Sequence, residues 1–456
     1  MRWRGGSHPA IALSLLALLL AGRATAETLE EALVSAYANN PGLAAERAAV
    51  RAVDEFVPQA RAGWRPTTQI DSSYGRRRDE NSGGALGSGG NTILSPFSAQ
   101  ISVTQPLYRG GRTTAATREA EAKVLAARER LRSVEQAVLL ETVTAYMDVL
   151  RGQAVLRLNL GNEAVLRRQL QATHDRFEVG EVTRTDVAQA EARLSRAIAD
   201  RIASRGDLAA SRATYGQVVG HAPQQLARVP RVTDQPPDLA TAAAIAADEN
   251  PTLLAARYDE RASGHAIKAE TGSLLPEVSL DGSLTRTEDS VVAGSATDSA
   301  QIRAQVRIPL YQAGAVYSRI RQDRQTNSQR RLELLQIERD VQEGVTQAWQ
   351  RLTTASDSIR AARDQVKAAE IVLDGVRQEV DVGLRTTFDV LDAEQELLDA
   401  RVAVVLAERD EYVGIYQVRA AIGRLSAVHI GLPVKAYNPA VHYDRARDRW
   451  WGVGAE

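Results

Sequence analysis

Val179-Gly180-Glu181-Val182-Thr183-Arg184-Thr185-Asp186-Val187 recurs 203 residues later as Val382-Gly383-Leu384-Arg385-Thr386-Thr387-Phe388-Asp389-Val390. Both copies read as helix reversals. A glycine able to take positive φ closes one helix, and a Thr and an Asp shortly after suit the start of the next. Each copy stands between long alanine-rich stretches of helical pattern, with no proline from Pro106 to Pro223 or from Pro309 to Pro433. The reading is two hairpins of very long helices with tips at 179–187 and 382–390. The stretch from Gly111 to Phe177 alone would extend about 100 Å at 1.5 Å per residue. Its Leu131, Val134 and Val138 recur at the spacing of a coiled-coil seam. A compact globule has no use for such a rod.

The offset of 203 holds well beyond the turns. Pro106-Leu107-Tyr108 matches Pro309-Leu310-Tyr311, Gly111 matches Gly314, and Gly220 matches Gly423. Upstream it becomes 210, pairing Asn40-Pro41 with Asn250-Pro251 and Pro66 with Pro276. The seven-residue difference falls between Pro66 and Pro106, where Gly83, Gly84, Gly87, Gly89 and Gly90 read as a loop tip. A period this long indicates duplication of an architectural half rather than a solenoid. The expected layout is a signal peptide at 1–26, a first repeat at 27–230, a second at 231–435 and an unpaired tail at 436–456. Gln235-Pro236-Pro237-Asp238 serves as linker.

Each half reads as helix, strand pair, long helix, turn, long helix. Ile302, Ala304, Val306 and Ile308 alternate with Gln301, Arg303, Gln305 and Arg307. Ile101, Val103 and Leu107 alternate likewise with polar neighbours, and Ile70, Tyr74, Val278, Leu280 and Leu284 keep the parity of upstream partners. The strand hairpins are expected at about 67–108 and 277–311, each strand long enough to cross a bilayer when tilted. Four strands cannot close a membrane barrel, and lipid does not tolerate open edges, so several chains must share one.

Composition narrows the function. The chain is 44% hydrophobic and 25% charged, with 5% aromatic residues and no cysteine, which leaves no disulfide, thiolate metal site or cysteine for lipid attachment. Arg2 and Arg4, the apolar run Ala10 to Ala21 and Ala24-Thr25-Ala26 form a secretory signal. No acid precedes Glu27, so loss of Arg2, Arg4 and Arg23 takes the formal charge from −1 to −4, without the basic excess of a nucleic-acid binder. The six histidines, His8, His174, His221, His265, His429 and His442, show no ligand spacing, and no nucleophile elbow, phosphate loop or dinucleotide fingerprint is present. No catalytic residue, metal or cofactor is expected. The competing class is a non-channel periplasmic coiled-coil adapter or scaffold, although two hairpins with amphipathic strands stand where an adapter has lipoyl-like and barrel domains.

Taken together, the signal, the duplicated layout, the two Pro-Leu-Tyr strand ends and the two Val-Gly turns resemble the TolC-like family of outer-membrane efflux and type I secretion channels over nearly the whole mature chain. The resemblance implies a membrane α+β fold. In it, a homotrimer closes a 12-stranded outer-membrane β-barrel, four strands per chain, continuous with a long periplasmic α-helical barrel. It also implies an adapter protein and an inner-membrane ABC or RND transporter as partners, outer-membrane lipid around the barrel, and passive conduction of proteins or small molecules. Type I secretion is slightly favoured by the missing lipid-anchor cysteine and by the aromatic, basic tail, which by composition alone reads as a flexible periplasmic segment.

On this resemblance Asp389 and Asp392 match the acidic pair of the periplasmic constriction. Their i, i+3 spacing would stack two rings of three carboxylates in a trimer. Asp186 and Arg385 match the charged gate latch, with Val380 where the family often has a Tyr. Val179, Gly180, Val382, Gly383 and Leu384 match the tips where adapter hairpins dock. Tyr108 and Tyr311 are the expected membrane-interface aromatics.

Overall fold

The structure, a computed structural model, describes residues 26–81, 90–230 and 235–454. The signal through Thr25 and the glycines at 83, 84, 87 and 89 lie outside the described residues, and Gly90 opens a strand. Helices α1 (Leu29–Asn39), α2 (Pro41–Asp54) and α3 (Phe56–Arg61) lead to strands β1 (Thr67–Tyr74), β2 (Arg77–Asn81), β3 (Gly90–Leu94) and β4 (Phe97–Arg109). The hairpin α4 (Arg112–Glu178) and α5 (Arg184–Val219) follows, then α6 (Leu239–Glu249), α7 (Pro251–Thr271), β5 (Glu277–Glu288) and β6 (Ala296–Arg307). The second hairpin is α8 (Ala315–Asp381) with α9 (Thr387–Ala421), and α10 (Ala440–Ala446) lies in the tail. Helices α4 and α8 have 67 residues each. No helix among the described residues is long and apolar enough to cross a membrane.

The chain divides into two compact units, and each draws on both halves of the sequence. The first comprises the chain up to Ala45, Arg132–Asn250 and Asp340–Ala436. Its core joins Leu33 of α1, Leu139, Val143 and Tyr146 of α4, Leu208 and Tyr215 of α5, Ala242 of α6, Val345 of α8, and Val413 and Val418 of α9. Tyr146 donates to the carbonyls of Glu27 and Ala227, and Tyr215 donates to the Glu27 carboxylate at 2.6 Å. Burial pushes the Tyr146 phenol up to about 12 and that of Tyr215 up as well, so both remain neutral donors.

Both Asn-Pro steps build the same joint. Asn40 ends α1 and caps α2, accepting from the Leu43 N–H at 3.1 Å, while Pro41 occupies the first helical position, where a missing N–H costs nothing. Its amide donates to the Val218 carbonyl near the end of α5. Asn250 repeats this on the Ala421 carbonyl of α9 at 2.9 Å. The start of α2 therefore meets the end of α5.

The second unit comprises Glu46–Leu131, Pro251–Arg339 and the tail from Tyr437. Its sheet is antiparallel in the order β1-β4-β5-β6, so β4 and β5 join the two sequence halves and β1 and β6 are open edges. The register aligns Ile70, Ile101 and Leu284 with Ala300, and Thr68, Val103 and Gly282 with Ile302, on one face. The other face carries Thr67, Thr104, Asp281 and Arg303, then Gln69, Ser102, Ser283 and Gln301. Every described residue of β6 is exposed, Ile302 at 81%.

Three details differ from the alternation read in the sequence. Pro106 lies inside β4, which continues to Arg109 because the pairing with β5 slips at a bulge between Pro106 and Tyr108, where a residue without an N–H is tolerated. β6 instead stops at Arg307, before Pro309. The loop tip read at Gly83 to Gly90 is flanked by a separate two-stranded ribbon, β2 with β3, which includes only Gly90 of that stretch. The tail is ordered against the helices of this unit, with Tyr443 packed on Val57, Ala120 and Val124.

Candidate functional site at the hairpin tips

Both tips end their first helix with the same six-residue closure. The Gly180 N–H donates to the Phe177 carbonyl and the Glu181 N–H to that of Arg176; Gly383 and Leu384 do the same to Val380 and Glu379. Gly180 and Gly383 sit at φ +80° and +78°, a conformation costly for any residue with a Cβ. The second helix then starts on a threonine. Thr183 and Asp186 form a reciprocal capping box, in which the Asp186 carboxylate accepts from the Thr183 N–H at 2.6 Å and the Asp186 N–H donates to the Thr183 hydroxyl. In the second tip the Thr386 N–H and hydroxyl both donate to the Asp389 carboxylate at 2.8 Å. Asp186 and Asp389 are thus equivalent positions of the duplication, each holding a helix start.

The charged residues singled out in the sequence divide between tasks. Arg385 donates to Glu379 at 3.0 Å and to Asp389 at 3.4 Å, all within its own tip. Within one chain it does not meet Asp186. Asp392, one turn beyond Asp389, pairs with Arg193 of α5. That bridge ties the second hairpin to the first, alongside an apolar contact of Leu391 and Phe388 with Leu166, Leu194 and Ala197.

Arg193 was missed by sequence reasoning, yet a signal existed. Its counterpart 203 residues on is Glu396, and that of Asp392 is Gln189, so the duplication has changed charge at both positions. Val179 of the first tip and Val382 and Leu384 of the second are all exposed. Tyr108 is half-exposed on β4 next to the bulge, while Tyr311 is exposed beyond the end of β6 rather than on a strand.

The Thr386 N–H and hydroxyl, followed by Arg385, hold the Asp389 carboxyl below the usual carboxylate range. A depressed value means that the charge, and the capping it supports, is present above the unfolded-state value and is lost only as pH falls through the lower folded value. The stability that Asp389 adds over Asp389→Asn is therefore expected to stay unchanged from pH 7 to pH 5. A difference in melting temperature between the two that shrinks over that interval would show that the cap does not hold this proton off.

Comparison with known proteins follows the same line. A family model described as outer membrane efflux protein matches residues 32–221 and 243–424. The outer membrane efflux protein BepC of Brucella suis is 39% identical over 454 residues, spanning 97% of this chain and 96% of that protein. The alkaline protease secretion protein AprF of Pseudomonas aeruginosa is 25% identical over 347 residues, spanning 74% and 71%. Among solved structures, the Campylobacter jejuni CmeC outer membrane channel shares the fold with a TM-score of 0.78, over 92% of this chain and 89% of that one at 14% identity.

Proposed function

The chain belongs to the outer membrane efflux protein family, proteins of the Gram-negative outer membrane and periplasm that are channels rather than enzymes, and from that premise we propose that three copies form one export duct. The observation that carries this is the sheet: four strands, two open edges, and two exposed faces of opposite chemistry. Backbone groups on an edge have no partner in hydrocarbon, so β1 of one copy pairs with β6 of the next until the edges are gone. Three copies give twelve strands, with the apolar face toward lipid and the Gln301, Arg303 and Asp281 face lining water. The duplicated halves, 27–230 and 231–435, each supply two strands to the barrel and one helical hairpin to a periplasmic tunnel.

In this reading the exposed tips at Val179-Gly180 and Val382-Gly383-Leu384 receive the hairpins of a periplasmic adapter, and an inner-membrane transporter of ABC or RND type supplies the energy. Asp389 and Asp392 narrow the entrance as carboxylate rings that favour cations. Asp186 and Arg385 serve the gate by fixing their own tips. The Arg193–Asp392 bridge, between side chains 39% and 65% exposed, contributes only about 0–1 kcal/mol. A weak tie suits a gate that docking must open. Purified channels in planar bilayers test the assignment. Arg193→Ala should raise conductance several-fold, Arg385→Ser or Asp186→Ala less, and Asp389→Asn with Asp392→Asn should abolish cation preference. If all of these match the unsubstituted channel, the constriction lies elsewhere.

A duct of this kind takes its cargo from the pump it meets, and the relatives carry names from both sides, efflux for BepC and protease secretion for AprF. Polypeptide cargo is the reading to test first. Deleting the gene should remove specific proteins from the culture medium while leaving drug tolerance unchanged, and the reverse outcome assigns small-molecule efflux.

A further inference from the structure

The tail follows a course that nothing in the duct itself requires. Tyr437 lies under the guanidinium of Arg47, 5.4 Å from the ring centre. His442 Nδ1 is 2.9 Å from the carboxylate of Asp54, whose side chain is fully buried. Asp448 accepts from Arg61 at 2.5 Å. Arg65 donates to the Arg449 carbonyl and stacks on the Trp450 ring at 5.0 Å. The partners at 47, 54 and 61 recur every seven residues, which is two helical turns, so the tail keeps to one face of α2 and α3 and runs the same way.

Its destination is Arg65, which precedes Pro66 and the first residue of β1. There the tail leaves Trp450 62% and Trp451 87% exposed, with Val453 fully exposed after them. Trp64, also exposed, stands one residue before Arg65, and Tyr108 lies at the same end of the sheet, on β4 beyond the pairing of Thr67 with Thr104. Immediately past this level begins the exposed apolar face of Thr68, Ile70, Val103 and Ile101. Two adjacent indoles in water lose the benefit of a large apolar surface. At a bilayer boundary the ring is buried while the indole N–H remains among polar groups. Arg445, exposed on the same short segment, adds a cation suited to phosphate head groups.

We propose that Trp450 and Trp451 dock into the head-group layer of the periplasmic leaflet of the outer membrane, so that the tail is a strap joining α2 and α3 to phospholipid. The occupant is lipid because the pair stands at the level where the exposed apolar face of the sheet begins, and the proposal rests on the barrel reading above.

The test uses full-length protein reconstituted in phosphatidylethanolamine and phosphatidylglycerol vesicles. With Trp64→Phe and Trp349→Phe the two tail indoles are the only tryptophans left in a chain processed after Ala26. Lipids carrying a quencher near the head group should quench their fluorescence at least about twice as strongly as lipids labelled at the chain end, while aqueous iodide quenches weakly. If that background fails to assemble, the same signal is obtained by difference between the unsubstituted protein and W450F/W451F. Strong iodide quenching with no lipid quenching, in oligomer recovered intact from the membrane, overturns the anchor and leaves the barrel standing. Absence of any membrane-bound oligomer removes both.

Discussion

Ile302→Arg is expected to remove the protein from the outer membrane. The side chain is 81% exposed on the edge strand β6, paired with Gly282 and on the same face as Val103 two strands away. In a single chain it has no apolar cover, so a charge there would be harmless in a soluble protein. Facing lipid, an arginine costs about 2–4 kcal/mol near the bilayer midplane. In the proposed threefold assembly every copy would meet that cost. Gln301→Arg is the matched control, because the neighbouring residue on the same strand points to the opposite face, where Arg303 is already accommodated. Detergent extracts of the outer membrane, run with and without heating, should show a heat-sensitive oligomer for Gln301→Arg and almost none for Ile302→Arg. Equal amounts from the two variants would mean that the apolar face of the sheet does not meet lipid.

The second large effect lies in the tail. His442→Ala should release it from the helices at a cost of about 1–3 kcal/mol, the range for leaving a buried polar group without its hydrogen-bond partner. Asp54 is fully buried, one of its oxygens is bonded to His442 and the other, Oδ1, has no hydrogen-bond partner. Burial pushes its carboxyl above the ordinary value, while the hydrogen bond from His442 and the charge of Arg128 pull it down and Glu55 pushes it up. A folded-state value above the unfolded one makes this group most favourable to folding below the unfolded value, and that contribution is lost as pH rises through the raised folded value. Asp54→Asn, which removes the charge and keeps a polar partner for His442, should therefore cost less than His442→Ala and reduce the loss of stability above the ordinary carboxylate range. Trypsin reads the release directly, because Arg445, Arg447 and Arg449 offer cleavage sites in the tail. Rapid clipping in His442→Ala and slow clipping in Asp54→Asn are expected. A tail equally resistant in both would show that the aromatic and arginine contacts hold it without the buried pair.

Much of the architecture could be read from residue order. The expected helix from Gly111 to Phe177 is α4 to within one residue at each end, because a glycine pair and a Val-Gly step end it by local backbone geometry. The sheet parity was equally plain, since alternation has a period of two and depends only on neighbours. The bulge at Pro106 was not, because it reflects how β4 pairs with β5 beyond the end of β1. The site was partly legible. Asp186 and Asp389 could be read as helix starts from the Thr three residues before each, whereas the partner of Asp392 could not be picked from the many arginines along α5.

The chain's order alone determined the long helices, their glycine-closed tips, the Asn-Pro joints and the two-faced strands, because capping, proline geometry and periodicity act over a few neighbouring residues. The tertiary structure decided that Arg193 meets Asp392, that the two sequence halves share one sheet through β4 and β5, and that the tail lies along α2 and α3. Those outcomes depend on how packed helices are rotated and offset against one another, which many weak contacts fix together and no short stretch of sequence encodes.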